Sequence, residues 1–187
     1  MNQTALAMEI ISSKIDLSQI EYDSLIKSLI KFIKNHINPL VERDLSISVS
    51  QKKNVALYTA YAEDFLHKKI SEKDLLKGRV EAWKEFDENK LSTEYRNTIR
   101  VIICTLYDRE SAEFENYGAE SIIETFLSCL EDLRSHLPKL FAHQMLEDFW
   151  LQRLIEQLFH KLSFNYGITG GRWGRALKRV RKNSRTP

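Results

Sequence analysis

Apolar residues recur every three or four positions along most of the chain, which is the spacing of one face of an α-helix. Ser18 and Glu21 have the spacing of a helix-capping box, and a clear amphipathic segment follows them. Its apolar positions are Leu25, Ile26, Leu29, Ile30, Ile33 and Ile37. Asn38-Pro39 predicts its end, because proline is tolerated at a first helical position but not inside a helix.

Polar caps predict further helices. Ser71 with Asp74 marks one start, and Ser92 or Thr93 marks another. Residues 45–50 alternate between apolar and polar side chains, and we interpret them as an extended linker with Ser50 as the N-cap of the next helix. A last long helix is expected from Pro138 to Tyr166, with Gly167 as its C′ residue.

These signals predict an all-α fold. We expect a single-domain bundle of six or seven helices over residues 1–166, because the connections are short. Residues 167–187 then form a glycine-containing hinge and a basic tail, since four of the six glycines in the chain lie between 167 and 174.

Composition agrees with a packed domain. The chain has 187 residues, of which 43% are hydrophobic and 29% charged, so a hydrophobic core is expected. No apolar run approaches the roughly 20 residues of a membrane span, and the N-terminus does not resemble a secretory signal. Cys104 and Cys129 lie in apolar helical patterns, which indicates buried free thiols. A cytoplasmic protein is therefore expected.

Charge is distributed unevenly along the chain. Its formal net charge is +2, but seven of the 28 basic residues lie after residue 171, in a segment without acids. The remaining 21 basic residues are outnumbered by 26 acidic ones, so residues 1–171 carry a net charge of −5. This pattern combines an acidic body with a basic tail.

The basic tail has three interpretations. It could dock on the acidic body of its own chain, with Trp173 as an anchor. It could bind an anionic membrane surface, although its apolar face is short. It could instead bind nucleic acid, with cations on phosphates and the indole of Trp173 stacked on a base. The residues for nucleic-acid binding are Arg172, Trp173, Arg175, Lys178, Arg179, Arg181 and Lys182.

Acidic and aromatic residues are concentrated in the connection over residues 108–120, which we call the acidic connection. These carboxylates are either ordinary solvated surface or a patch that steers a basic protein partner, in which the aromatic side chains would be interface anchors. The candidate partner-binding residues are Asp108, Glu110, Glu113, Phe114, Glu115, Tyr117 and Glu120.

No motif for catalysis or metal binding is found. Three His/Glu pairs are four residues apart, Glu63/His67, His143/Glu147 and Glu156/His160, but there is no His-Glu-x-x-His, Glu-x-x-His or Cys-x-x-Cys sequence. The glycines after residue 166 follow a predicted helix, whereas a phosphate-binding P-loop follows a strand. We therefore expect neither a metal nor a cofactor, and a binding protein rather than an enzyme. An enzyme whose site is dispersed among the helices is a third hypothesis.

The stretch Ala82-Trp83-Lys84-Glu85-Phe86, together with the helix-only organisation, resembles helical immunity proteins of bacterial toxin systems. These include the immunity proteins paired with contact-dependent-inhibition toxins. The resemblance implies a protein that binds the active domain of a toxin, in some cases a nuclease, and occludes its site. The basic tail departs from the pattern of a uniformly acidic nuclease inhibitor. The alternative hypothesis is a helical protein that binds nucleic acid through the tail.

Overall fold

A computed structural model describes residues 2–88, 91–114 and 118–165, without the side chains of 113, 114, 152, 153 and 156–165. These residues form helices and contain no β-strand. The α-helices are α1 (Gln3–Ser12), α2 (Tyr22–Phe32), α3 (Asn38–Arg43), α4 (Val49–Leu66), α5 (Glu72–Phe86), α6 (Thr93–Ile103), α7 (Arg109–Phe114), α8 (Ala119–Leu133) and α9 (Leu137–Asn165). A 3₁₀ turn over Leu17–Gln19 precedes α2, and a π-helical turn over Ile33–Ile37 joins α2 to α3.

The all-α prediction is confirmed for the described residues, which hold more helices than the six or seven expected. The difference arises from short elements. Helices α3 and α7 have six residues each, too few to show an amphipathic period in the sequence.

Two of the predicted helix starts are confirmed. The Ser71 hydroxyl accepts a hydrogen bond from the Asp74 N–H, and the Asp74 side chain accepts one from the Ser71 N–H. Ser92, rather than Thr93, caps α6 by accepting from the Tyr95 N–H. Such caps satisfy amide groups that have no partner inside the helix.

Two other predicted starts are wrong. Ser18 does not cap a helix, because its N–H and its hydroxyl both donate to Asp16 and hold it in the 3₁₀ turn. Helix α4 is capped by Ser48 rather than by Ser50, because Gln51 completes a capping box with Ser48.

The core is centred on α8, which packs against α1 and α6. Phe126 of α8 meets Phe32 of α2 and Phe141 of α9, with ring centroids 6.1 and 4.9 Å apart. All three rings are fully buried. Burying rings of this size stabilises each position by about 1.5–3 kcal/mol relative to exposure. Cys104 and Cys129 are buried free thiols, as predicted.

Residues 1–146 and 147–187 form separate compact units. In the second unit, the apolar side chains of Leu151, Leu154 and Ile155 on α9 are exposed. The described part of this unit is a single helical segment. Residues 166–187, which include Gly167 and the basic tail, lie outside the described residues. Within the described part, no helix has both the length and the hydrophobicity needed to cross a bilayer.

Candidate protein-binding surface

Helix α5 buries Leu75 with two small residues and leaves three large apolar residues partly exposed. Leu75, Gly78 and Ala82 are buried on the face that packs against α4 and α6. A Cβ atom at Gly78 would lie 3.0 Å from a ring carbon of Tyr61, so glycine permits the close approach of α4. The packing of α5 therefore depends on small side chains on its inner face.

The outer face carries Leu76, Val80 and Trp83, which we call the α5 stripe. Their positions are four and three residues apart, so they lie in one row along the helix. They remain 45%, 43% and 37% exposed, respectively. The Trp83 ring meets the Phe86 ring edge-on at 5.4 Å, which restrains the indole. The stripe is thus a row of aliphatic side chains that ends at an ordered aromatic ring.

A polar cluster around Glu85 fixes the inner face of α5. The Glu85 carboxylate accepts hydrogen bonds from the Asn54 amide and the Tyr58 hydroxyl of α4, each at 2.8 Å. It also accepts from the Tyr95 hydroxyl of α6 at 2.5 Å. Three helices are therefore joined at one carboxylate, and hydrogen bonds to a charged group are stronger than neutral ones.

The Glu85 cluster favours neutral tyrosines. Burial raises the pKa of Tyr58 and Tyr95 well above the usual tyrosine value, and the hydrogen bond to Glu85 raises it further. The cause is that a phenolate would be poorly solvated and would face the carboxylate. Both hydroxyls consequently remain donors to Glu85.

A second anchor joins α5 to the acidic connection. The Arg79 guanidinium lies over the Tyr107 ring, 4.3 Å from its centroid, and donates to the Ser111 hydroxyl at 3.4 Å. The Tyr22 hydroxyl donates to the Tyr107 carbonyl at 2.9 Å. These contacts place the start of the acidic connection beside the α5 stripe.

Asp108 belongs to this anchor and is only 8% exposed. It accepts hydrogen bonds from the Ser111 N–H and the Ser111 hydroxyl, at 2.8 and 2.6 Å. Burial acts to raise the pKa of Asp108, but the bonds from Ser111 outweigh it and hold that pKa below its usual value. The carboxylate therefore shapes the start of α7, and its predicted contact with a partner stays a prediction.

Of the other residues predicted to bind a partner in the acidic connection, only Glu110 and Glu120 have side chains that the structure describes. Glu110 and Glu120 are exposed to solvent. The side chains of Glu113 and Phe114, and the residues Glu115 and Tyr117, lie outside the described part of the structure. All seven tail residues proposed for nucleic-acid binding also lie outside it.

A small cavity extends the apolar surface at the Trp83 end of the α5 stripe. It has a volume of about 90 Å³ and lies between α5, α6 and α8. Trp83 and Tyr107 line it together with Ile103 and Ile122. The cavity is large enough for a small aliphatic group of a partner, but is below the size of drug-like ligand pockets, about 300–1,000 Å³.

The described side chains include no cluster of three or more His, Cys, Asp or Glu residues suited to a metal ion. Of the three His/Glu pairs, Glu63 forms an ion pair with Lys34 at 2.8 Å. His143 and Glu147 are both exposed, and the side chains of Glu156 and His160 are not described.

The sequence assigns Leu76, Val80 and Trp83 to the apolar pattern of α5 without distinguishing an inner from an outer face. The signal that separates the two faces is the set of small residues, Gly78 and Ala82, at helical spacing from Leu75. Large apolar side chains on the opposite side of such a helix indicate an exposed stripe.

Comparison with known protein families, curated proteins and solved structures finds no match to this chain.

Proposed function

We propose that this chain is a protein-binding protein of the toxin-immunity kind, which neutralises a cognate toxin by covering its active site. The observation that carries the proposal is the α5 stripe. It presents three large apolar side chains to solvent on a helix whose inner face is fixed by the Glu85 cluster. A rigid apolar row of this kind needs little ordering on binding, which favours high affinity.

Trp83 is the proposed centre of the interface. Tryptophan is among the residues that contribute most to binding energy at protein interfaces, above all where it fills or borders a pocket. Trp83 borders the cavity between α5, α6 and α8. An aliphatic side chain of the partner would enter this cavity while Leu76 and Val80 cover adjacent apolar surface.

Exposed charged residues near the α5 stripe support a partner that carries basic groups on one side of its binding surface. Glu110 of α7 and Glu120 of α8 are exposed, and the contacts of Arg79 with Tyr107 and Ser111 hold the start of the acidic connection beside α5. Lys73, Lys77 and Lys84 are exposed on α5 itself. A complementary partner would place its basic groups near the acidic connection and its acidic groups near these lysines. This complementarity of charge would determine how the partner is oriented on the α5 stripe.

Inhibition would follow from occlusion. A toxin domain whose active site is basic, as in a nuclease, would face the acidic connection, while the apolar contacts on the α5 stripe hold the complex. No catalytic group of this chain is needed for such a mechanism. The chain acts stoichiometrically, one molecule for each toxin domain.

The test is capture of the partner by the full-length chain from lysate of its own cells, with and without nuclease treatment. The captured protein is then expressed in a host with and without this chain. We expect one stoichiometric protein partner that survives nuclease treatment and that is toxic only when the chain is absent.

Two results would contradict the proposal. One is recovery of nucleic acid that is lost on deletion of residues 172–187, which would favour binding through the basic tail. The other is a captured protein whose toxicity is unaffected by co-expression of the chain.

A further inference from the structure

The loop between α3 and α4 presents one leucine almost entirely to solvent. Leu45 is 98% exposed, the highest value among the large apolar residues whose side chains the structure describes. Val49, the first residue of α4, is 71% exposed, and Leu40 of α3 is 36% exposed. Single exposed leucines are common on protein surfaces, but here three exposed aliphatic residues lie within ten positions of the chain.

Hydrogen bonds on both sides hold this loop in place. The Asp44 carboxylate accepts from the Ser46 N–H at 2.8 Å and from the Ser46 hydroxyl at 2.7 Å. The capping box of Ser48 and Gln51 then fixes the start of α4, and Ile47 is buried between them. The loop therefore displays Leu45 in a fixed position, although the folded chain gains almost nothing by burying it.

An open cleft of about 480 Å³ lies next to Leu45, between the loop and the ends of α6 and α8. Its lining is mainly apolar and includes Val41, Ile47 and Leu133, whose side chains are buried at its base. The volume is sufficient for aliphatic side chains of a binding partner. A protruding leucine and an apolar cleft are thus neighbours on one face.

The charged residues of the cleft carry both signs. Arg43 and Arg134 line it together with Asp44 and Glu94. A surface with a protruding side chain, a cleft and charges of both signs can be complementary to itself. Around a two-fold axis the protruding side chain of one copy can enter the cleft of the other, and cations of one can meet carboxylates of the other. A uniformly basic or uniformly acidic cleft would instead repel a second copy.

We propose that this face binds a second copy of the same chain in a two-fold symmetric dimer. Leu45 of each copy inserts into the cleft of the other, and Val49 and Leu40 extend the apolar contact. The arginines of one cleft meet the carboxylates of its counterpart.

The proposed dimer face is separate from the α5 stripe. The cleft uses Glu94 and Thr98 near the start of α6, whereas the cavity beside Trp83 uses Ile103 and Cys104 at its end. Ten residues of helix separate Glu94 from Cys104, which corresponds to about 15 Å along the axis. Each copy in the dimer would keep its α5 stripe accessible, so this proposal does not depend on the toxin-immunity function.

The experiment measures the mass of the purified full-length chain in solution by sedimentation equilibrium over a range of concentrations. We expect a mass that rises toward twice the 21.9 kDa of one chain. Leu45→Glu should abolish the increase. Leu45→Ala should raise the dimer dissociation constant at least about tenfold, since each dimer buries two copies of this side chain.

The matched control is Leu57→Glu, because Leu57 is also exposed but lies on α4 outside the cleft. This variant should dimerise like the unmodified chain. Since Leu45 is 98% exposed, Leu45→Glu and the unmodified chain should unfold at the same temperature when both are dilute enough to be monomeric, so lost association cannot be attributed to misfolding. A chain that stays monomeric at every concentration overturns the proposal, and so does a dimer that Leu45→Glu leaves intact.

Discussion

At the level of single residues, the Glu85 carboxylate determines how α4, α5 and α6 meet. It accepts from Asn54, Tyr58 and Tyr95, which lie on the two neighbouring helices. The sequence shows Glu85 as one of several acids in a charged helix and offers no sign of this role. The reason is that its donors are 10, 27 and 31 residues away in the chain, and only the packing of the helices brings them together.

Replacing Tyr95 by phenylalanine tests this role. Tyr95 is fully buried, and the change removes one donor from a partly buried carboxylate. We expect the free energy of unfolding to fall by about 1–3 kcal/mol, measured by urea denaturation. Tyr61→Phe is the control, because the Tyr61 ring packs against Gly78 through its carbon atoms. Equal stability of the two variants would contradict the role assigned to Glu85.

The tyrosine hydroxyls also predict how stability depends on pH. The pKa values of Tyr22, Tyr58 and Tyr95 are all raised in the folded chain, mainly by burial. Their contribution is therefore complete below about pH 10, the ordinary tyrosine pKa, and is lost as the pH rises toward the raised values. In an alkaline titration followed by phenolate absorbance and circular dichroism, these three groups should ionise only as the helices unfold. Ionisation of all seven tyrosines near pH 10 in the folded chain would contradict this expectation.

At the level of elements, periodicity and caps predict most helices, but they do not predict which face of a helix is buried. Helix α5 illustrates the limit, since a ranking by hydrophobicity alone would bury Trp83 in preference to Gly78. The structure buries Gly78 because α4 approaches too closely for a side chain. The predicted start of α4 at Ser50 is wrong although the sequence distinguishes the two serines, since only Ser48 has the glutamine three positions later that completes a capping box.

Gly78→Val tests the close packing of α4 and α5. The added side chain would overlap the Tyr61 ring, and we expect a loss of about 1–3 kcal/mol in the free energy of unfolding. Combining it with Tyr61→Ala should cost less than the sum of the two single changes, because the smaller side chain makes room. Strictly additive costs in this double-mutant cycle would show that the two residues do not compete for space.

At the level of the whole molecule, two separate surfaces are proposed, the α5 stripe for a protein partner and the cleft beside Leu45 for a second copy. The sequence predicts the acidic connection as a partner-binding region, and the structure adds the apolar stripe beside it. That addition could not be predicted from periodicity, because the neighbours of an exposed helix face are set by tertiary packing. The basic tail is known only from the sequence, and its three interpretations remain predictions.

Charge reversal tests the electrostatic part of the proposed complex. Glu110→Lys places a cation in the acidic connection, whereas Glu9→Lys makes the same change on α1, and both positions are exposed. We expect Glu110→Lys to slow association with the captured partner at least about threefold at low salt, with the difference shrinking as salt is added. Stopped-flow or surface-binding kinetics provide the measurement. Equal association rates for the two variants would remove the acidic connection from the interface.

The most direct test of the α5 stripe compares Leu76→Lys with Leu57→Lys. The two leucines are 45% and 46% exposed, so both substitutions place a lysine on a helix surface at similar cost to folding. Calorimetric titration with the captured partner gives the dissociation constant of each variant. We expect at least tenfold weaker binding, about 1.4 kcal/mol, for Leu76→Lys and an unchanged dissociation constant for Leu57→Lys. Equal affinities would show that the partner does not bind the α5 stripe.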